Sequence, residues 1–303
     1  MDLYLNGDYQ GAYNLIERVG IDTSRINIPE LKNNQAGAND GQPNVTGGYL
    51  LEWDFRADGT NGEHYFTVGT GGALVNVTSP TDEVDGSGIT SAQVTYISTY
   101  TRAANAALFG SNFADPNVGW RKYIDEKSAV DWYLVQEYTK NIDANMYTSV
   151  DMYKQRDSVA GAGDGKLFFG PIWDFDTSMG DATYPGAQGS TSGWYLRGQT
   201  ATYAKQVTNS NKTWLDRLNE DPTFRAAVKA RWQQKQTLFT GLPSFVDSQR
   251  SLIQASATAN FAKWSISENL EPGYQVVKGS YSAEITSLKN WITNRNTWIS
   301  ANI

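Results

Sequence analysis

Glu137-Tyr-Thr-Lys-Asn141-Ile-Asp143-Ala-Asn145 is followed, 31 positions after Asp143, by Trp173-Asp174-Phe175-Asp176. The first stretch closes an amphipathic run in which Val130, Leu134 and Tyr138 recur every fourth residue and so share a helix face. That predicts a helix over about 125–140, with Asp125 or Ser128 near its N-cap. The residues between the acidic groups read as one hairpin. Met146 to Lys154 and Lys166 to Ile172 are strand-like and flank the turn Val159-Ala160-Gly161-Ala162-Gly163-Asp164-Gly165. A hairpin brings its ends together, which predicts that Asp143 and Asp174 meet at the open end. Two carboxylates and an Asn at such a point suit Mg²⁺ or Mn²⁺, which take oxygen ligands. The plainer alternative is that these Asp and Asn residues cap helices and end strands.

Upstream, the chain reads as mainly β. Leu3-Tyr4-Leu5, the turn Asn6-Gly7 and Tyr9 to Ile16 form a hairpin. Residues 20–47 are a polar loop. Gly48 to Phe55 is a strand, and His64 to Val68 with Ala73 to Val77 is a second pair around Gly69-Thr70-Gly71-Gly72. Pro80 to Gly88 is another loop. From Ser91 the period becomes helical through Val94, Ile97, Tyr100, Ala104 and Leu108. Beyond the hairpin, Thr177 to Gln199 is rich in Gly, Ser and Thr and reads as a mobile surface loop. Helices follow at Thr213 to Asn219, from Asp221-Pro222 to about Phe239, Pro243 to Trp264, and Tyr281 to Ile299. The expected class is α+β, with a β-rich portion over 1–90. A mainly helical portion over 91–303 carries the inserted hairpin and the chemistry. No internal repeat is visible.

Composition narrows the function. The 303 residues carry 25 Lys+Arg against 32 Asp+Glu, a net charge of −7. So acidic a chain is a poor general partner for nucleic acid or anionic lipid. The absence of cysteine excludes thiol chemistry and disulfides, and a single His64 excludes multi-His zinc sites. Catalysis must lean on carboxylates, Lys, Arg, Asn or bound metal. No apolar run is long enough to span a membrane. The chain opens Met-Asp-Leu-Tyr without the basic start of a signal peptide, yet its texture is that of an exported or cell-surface protein.

Helix, loop, hairpin and Asp-Phe follow one another in the order protein kinases use. Three segments also resemble the CotH kinase family, named for a spore coat protein of Bacillus. They are Leu3-Tyr-Leu-Asn-Gly-Asp-Tyr-Gln-Gly-Ala-Tyr-Asn-Leu-Ile-Glu17-Arg, Glu137-x-x-x-Asn141-x-Asp143 and Gly170-Pro-Ile-Trp-Asp174-Phe-Asp176. Gly48-Tyr-Leu-Leu-Glu52 and Asn260-Phe-x-x-Trp264 add support, and the resemblance runs over nearly the whole chain. It implies an atypical protein-kinase-like fold that uses ATP with Mg²⁺ or Mn²⁺ to phosphorylate Ser or Thr of secreted or spore-coat proteins. On that resemblance Asp143 is the catalytic-loop Asp, Asp174 is the metal ligand, and Asp176 and Asn145 are further ligands. The family usually carries a long N-terminal half before this first hairpin, including the rest of a small lobe. It also tends to place a Lys where this chain has Val75-Asn76-Val77-Thr78-Ser79-Pro80.

Glu17 and Glu52 each end an apolar strand, and we place them as cofactor-pocket residues, although strand-end charges are usually solvated. Trp194-Tyr195, in the expected mobile loop, is a candidate for contacting substrate; the alternative is packing of that loop onto the helices. Gly69-Thr70-Gly71-Gly72 fits a turn better than a phosphate cradle. Two other functions stay open: a non-catalytic pseudokinase or surface module binding a protein or glycan, and a carboxylate-pair glycosidase.

Overall fold

The computed structural model describes residues 1–33, 39–59, 64–80, 88–160, 162–181, 190–197, 205–266 and 277–303. Parts of three expected loops, at 34–38, at 81–87, and at 182–189 with 198–199, and the turn residue Gly161 lie outside them. The first hairpin pairs β1 (Asp2–Leu5) with β2 (Asp8–Ala12) across Asn6-Gly7, both of which adopt positive φ. It is shorter than the sequence predicts. The chain leaves the ladder after Ala12, and Leu15 and Ile16 are 88% and 69% exposed.

The remaining strands form one antiparallel sheet in the order β4-β5-β3-β6-β7: β3 (Tyr49–Trp53), β4 (His64–Val68), β5 (Ala73–Ser79), β6 (Val150–Lys154) and β7 (Leu167–Phe169). The expected inserted hairpin is therefore not a separate feature. β6 pairs with β3 over five residues, from Tyr49↔Lys154 to Trp53↔Val150, so the sheet draws strands from both sides of residue 90. Alternation along β3 places Tyr49, Leu51 and Trp53 in the main core and Leu50 against Ile26 and Ile28 on the other face. Gly69 and Gly71 lie in the β4–β5 turn, where an added Cβ would meet the carbonyls of Thr208 and Val207 at 2.2 and 2.1 Å. Gly71 N–H donates to Thr208 at 2.7 Å, so this glycine run receives the chain's own backbone.

Helix α1 (Ser91–Phe109) begins at a Thr90–Gln93 capping box and buries Ile97, Ala104 and Leu108 in the main core. Helix α2 (Glu126–Thr139) is N-capped by Asp125, whose side chain accepts Ser128 N–H at 2.7 Å. Its start is tied to the sheet, since Asp125 N–H donates to Leu167 and Leu167 N–H to Tyr123, both at 2.8 Å. The short α3 (Trp214–Leu218) places Trp214 against Trp53, ring centres 5.0 Å apart.

The two helices expected either side of Pro243 are one, α4 (Pro222–Lys263). A proline in a helix interior removes the N–H owed to the carbonyl four residues earlier, here Phe239. Asn296 of α5 (Tyr281–Asn302) supplies the replacement, donating Nδ2 to the Phe239 carbonyl at 3.0 Å. The α4 C-terminus carries the first hairpin: Asn260 Oδ1 accepts Ala12 N–H at 2.9 Å and Trp264 Nε1 donates to Gln10 at 2.8 Å. Gly11 is needed there, because a Cβ would lie 2.9 Å from the Trp264 indole nitrogen. That contact explains the two segments Leu3–Glu17 and Asn260–Trp264 together.

Candidate active site

Helix α2 ends at Lys140, which adopts a left-handed conformation (φ 49°) and turns the chain into a short 3-10 turn, Ile142–Ala144. Asn141 caps that turn, its Oδ1 accepting Asp143 N–H at 3.2 Å. The same side chain donates Nδ2 to the Asp174 carbonyl at 2.9 Å. One amide thus holds both predicted segments. Asp174 also lies at positive φ (58°), as do Met146 and Ser149 (58° and 54°). Non-Gly residues in that region cost about 1 kcal/mol or more each, and such strain gathers at functional sites.

Asp143 and Asp174 lie close enough to feel each other's charge, as the hairpin argument predicts, and Asp176 joins them. Burial, then the charges of Asp174 and Asp176, push the Asp143 carboxyl up to about 6, while Arg56 opposes. Asp174 is raised by burial and by the charge and hydrogen bond of Asp176; Ser149, whose Oγ donates to Asp174 Oδ2 at 3.4 Å, pulls it down, as does Arg56. Arg56 is the cation of this acidic group. Its Nε donates to Asp54 Oδ1 at 2.9 Å and its Nη2 to Thr148 Oγ1 at 2.7 Å. Phe55 stacks on Tyr147 with ring centres 4.0 Å apart, fixing this segment to the loop after Asp143.

Carboxylates that raise one another's pKa suit a divalent cation, because the cation removes the repulsion. Among the described residues no cluster of three or more acidic, His or Cys groups has metal-holding geometry. Asp174 and Asp176, which hydrogen-bond each other, are the oxygen donors that would hold a hard divalent cation here. Asn145 is placed elsewhere. It is fully buried, and its Oδ1 accepts the Thr213 hydroxyl at 3.1 Å, which ties the loop to the α3 cap.

Trp194 and Tyr195 do not stand in a free surface loop. Tyr195 is 1% exposed; its N–H donates to Glu137 Oε1 at 2.7 Å and its hydroxyl to the Ile142 carbonyl at 2.6 Å. Trp194 packs edge-on against Trp298 at 4.9 Å, with the Arg197 guanidinium 4.0 Å from its ring centre. These aromatics fasten residues 194–196 to the helices, the packing alternative named above. Glu137 is the receiving point: fully buried, it also accepts Leu196 N–H at 2.6 Å and Arg295 Nη2 at 2.9 Å. Arg295, 0% exposed, further donates to the carbonyls of Glu137, Tyr138, Thr191 and Gly193. The Glu137 of the sequence motif therefore braces the loop that carries Asp143.

Glu17 lies on the surface, ion-paired with Arg25. Glu52 faces a cavity of ≈ 250 Å³ beside Trp173 and opposite Asp151 of β6. Burial and the Glu52 charge push the Asp151 carboxyl up to about 7. Arg56, Ser149 and Asp151 are missed by the sequence reading. Asp151 alone left a signal, an acid inside the apolar strand Val150-Asp151-Met152.

An antiparallel sheet backed by helices, with a helix-loop-hairpin-Asp-Phe path that brings three Asp side chains together, has the outline of a kinase-like protein. A family model described as CotH kinase protein matches residues 1–299, and the chain belongs to the CotH kinase family. No curated protein matches the chain.

Proposed function

We propose that this chain is a phosphotransferase that moves the γ-phosphoryl group of ATP to Ser or Thr hydroxyls of an extracellular or cell-surface protein, with Mg²⁺ or Mn²⁺. The observation that carries the reading is the Asn141 clasp, which holds Asp143 and Asp174 in one group after a helix and a hairpin. Asp143, half-buried, orients the acceptor hydroxyl and takes its proton as the oxygen attacks the γ-phosphorus. The bond from that phosphorus to the β–γ bridging oxygen breaks, and ADP leaves. Asp174 and Asp176 would hold the divalent cation, which when bound would neutralise phosphate charge. Arg56 is the positive side chain placed to face a phosphate there. Export is inferred from composition and from the family. Among the described residues no helix is long and apolar enough to cross a membrane.

A second reading, a non-catalytic module binding a protein or glycan, draws on the glycine run filled by the chain's own backbone rather than open to phosphate. Calorimetric titration of ATP with and without Mn²⁺ separates the two. Metal-dependent binding by the wild type that is lost in Asp174→Asn supports phosphotransfer. A folded wild type that binds no ATP under either condition refutes it and leaves the module.

A further inference from the structure

Three cations converge where the first turns of α4 meet the segment after Trp194. Arg197, Arg225 and Lys229 line one cavity of ≈ 240 Å³, and no Asp or Glu lines it among the described residues. Arg121, Arg217, Arg231 and Arg295 each have a carboxylate partner. The three cavity cations have no Asp or Glu partner among the described residues, although acids outnumber bases in the chain by 32 to 25. The segment around Arg197 brings none along, since no Asp or Glu lies between Asp181 and Asp216 in the sequence. Arg225 and Lys229 stand four apart on α4, where like charges repel, and Arg225 falls in the first turn, where the helix dipole also opposes a cation. A carboxyl can escape such a setting by taking up a proton; an arginine cannot shed one.

Most of their donors are unspent. Arg225 gives Nη1 to the Asn219 carbonyl at 2.5 Å, and Lys229 gives one N–H to Ile303 O at 2.9 Å. Arg197 makes no hydrogen bond among the described residues. It is half-buried, and its guanidinium lies 4.0 Å from the ring centre of Trp194, which Trp298 holds in turn. Stacking fixes the plane of the guanidinium and leaves its N–H edge for an acceptor. We infer that this cavity is a binding site for a phosphate-class oxyanion, either free phosphate or the phosphoryl group of a phosphorylated protein residue. Two guanidinium forks and an ammonium suit a dianion better than a single carboxylate. An anion seated there relieves the repulsion along α4 and meets the favourable end of its dipole. Tyr133, in the same wall, donates its hydroxyl to Glu137 Oε2 at 3.5 Å, which sets the anion beside the carboxylate that braces the Asp143 loop. The acidic group attracts phosphate only through a bound cation, whereas this cavity needs none, so the inference does not depend on the phosphotransfer reading.

The probes are inorganic phosphate, N-acetyl-phosphothreonine methylamide, its unphosphorylated analogue and sodium chloride at matched ionic strength, each titrated into the full chain with and without Mg²⁺. The readout is the Trp194 indole N–H signal in the NMR spectrum, assigned with Trp194→Phe. Both phosphate probes are expected to move the signal saturably without Mg²⁺, and the tighter of the two identifies the source of the anion. Chloride and the unphosphorylated analogue should leave it still. Arg197→Gln and Arg225→Gln, which keep polar bulk and remove charge, should each weaken phosphate binding about tenfold. Arg225 is exposed and does not touch the Trp194 stack, so its variant tests the site even where Arg197→Gln disturbs that stack. Chloride as effective as phosphate, or phosphate affinity unchanged in Arg225→Gln, overturns the inference. So does a response that appears only with Mg²⁺, because the anion then sits with the cation at the acidic group. Loss of ATP binding in the calorimetric experiment with phosphate binding intact would refute phosphotransfer and leave this site standing.

Discussion

Asn141 donates its side-chain amide to the backbone carbonyl of Asp174 at 2.9 Å, across 33 positions of the chain. Because its Oδ1 also accepts Asp143 N–H, one side chain sets the spacing of the two carboxylates. Asn141→Ala should cost about 1–2 kcal/mol of stability from the lost bonds. It should weaken Mn²⁺-dependent ATP binding well beyond what that stability loss explains. Urea denaturation and calorimetry on the same preparation separate the two effects. Unchanged ATP affinity would mean that the clasp does not set the site.

The raised carboxyls give the stability of the protein a pH signature. Asp143 stands at about 6 and Asp151 at about 7, both above the ordinary 3.8. Between that value and the raised one, the folded protein keeps protons that the unfolded chain has lost. Folding stability contributed by these groups therefore falls as pH rises through about 4 to 7. Asp151→Asn should flatten this fall, read as urea midpoints at about pH 5 and about pH 7. A variant with the wild-type slope would show that Asp151 is not desolvated. Turnover without excess metal should rise through about pH 6 as Asp143 ionises, and added Mn²⁺ should move that rise to lower pH.

Arg295 and Glu137 are both buried, and Arg295 spreads its donors over four carbonyls besides the Glu137 carboxylate. Arg295→Met leaves Glu137 charged and buried without its ion-pair partner, a change that costs about 3–5 kcal/mol. Arg295→Lys should restore little, since one ammonium cannot reach what a planar fork reaches. Thermal unfolding of the two variants checks this; full rescue by Lys would show that charge alone matters.

Pro243 and Asn296 invite a double-mutant cycle. Asn296→Ala strips the Phe239 carbonyl of its donor and should cost about 1 kcal/mol. In a Pro243→Ala background the helix supplies its own N–H to that carbonyl, so the same Asn296→Ala change should cost less. A coupling energy of about 0.5 kcal/mol or more is expected from the four unfolding curves; strict additivity would deny the compensation.

Local signals in the sequence carried the elements well where they were strong. The Asn6-Gly7 turn, the Asp125 cap and the Asp221-Pro222 start all mark real boundaries. What they did not carry was set by partners distant in the chain. Pro243 reads as a break because nothing near it announces Asn296, and the β6–β7 hairpin reads as an insertion because its pairing to β3 spans about a hundred residues. At the site, the Asp143–Asp174 meeting followed from the hairpin alone. Tyr195 was misread because a Gly- and Ser-rich setting resembles a mobile loop, while its anchor is a carboxylate 58 positions away.

The continuous β3–β6 ladder limits how this protein can breathe. Two halves joined only by a flexible linker swing apart like jaws and admit a nucleotide between them. Here the strand that follows Asp143 is zipped edge to edge onto one from the other half, with Glu52 and Asp151 at the seam. Prising them apart would mean tearing backbone hydrogen bonds out of the middle of a sheet. The carboxylates of Asp174 and Asp176 already face solvent, so a ligand reaches them without any parting of the sheet, which stays a fixed floor.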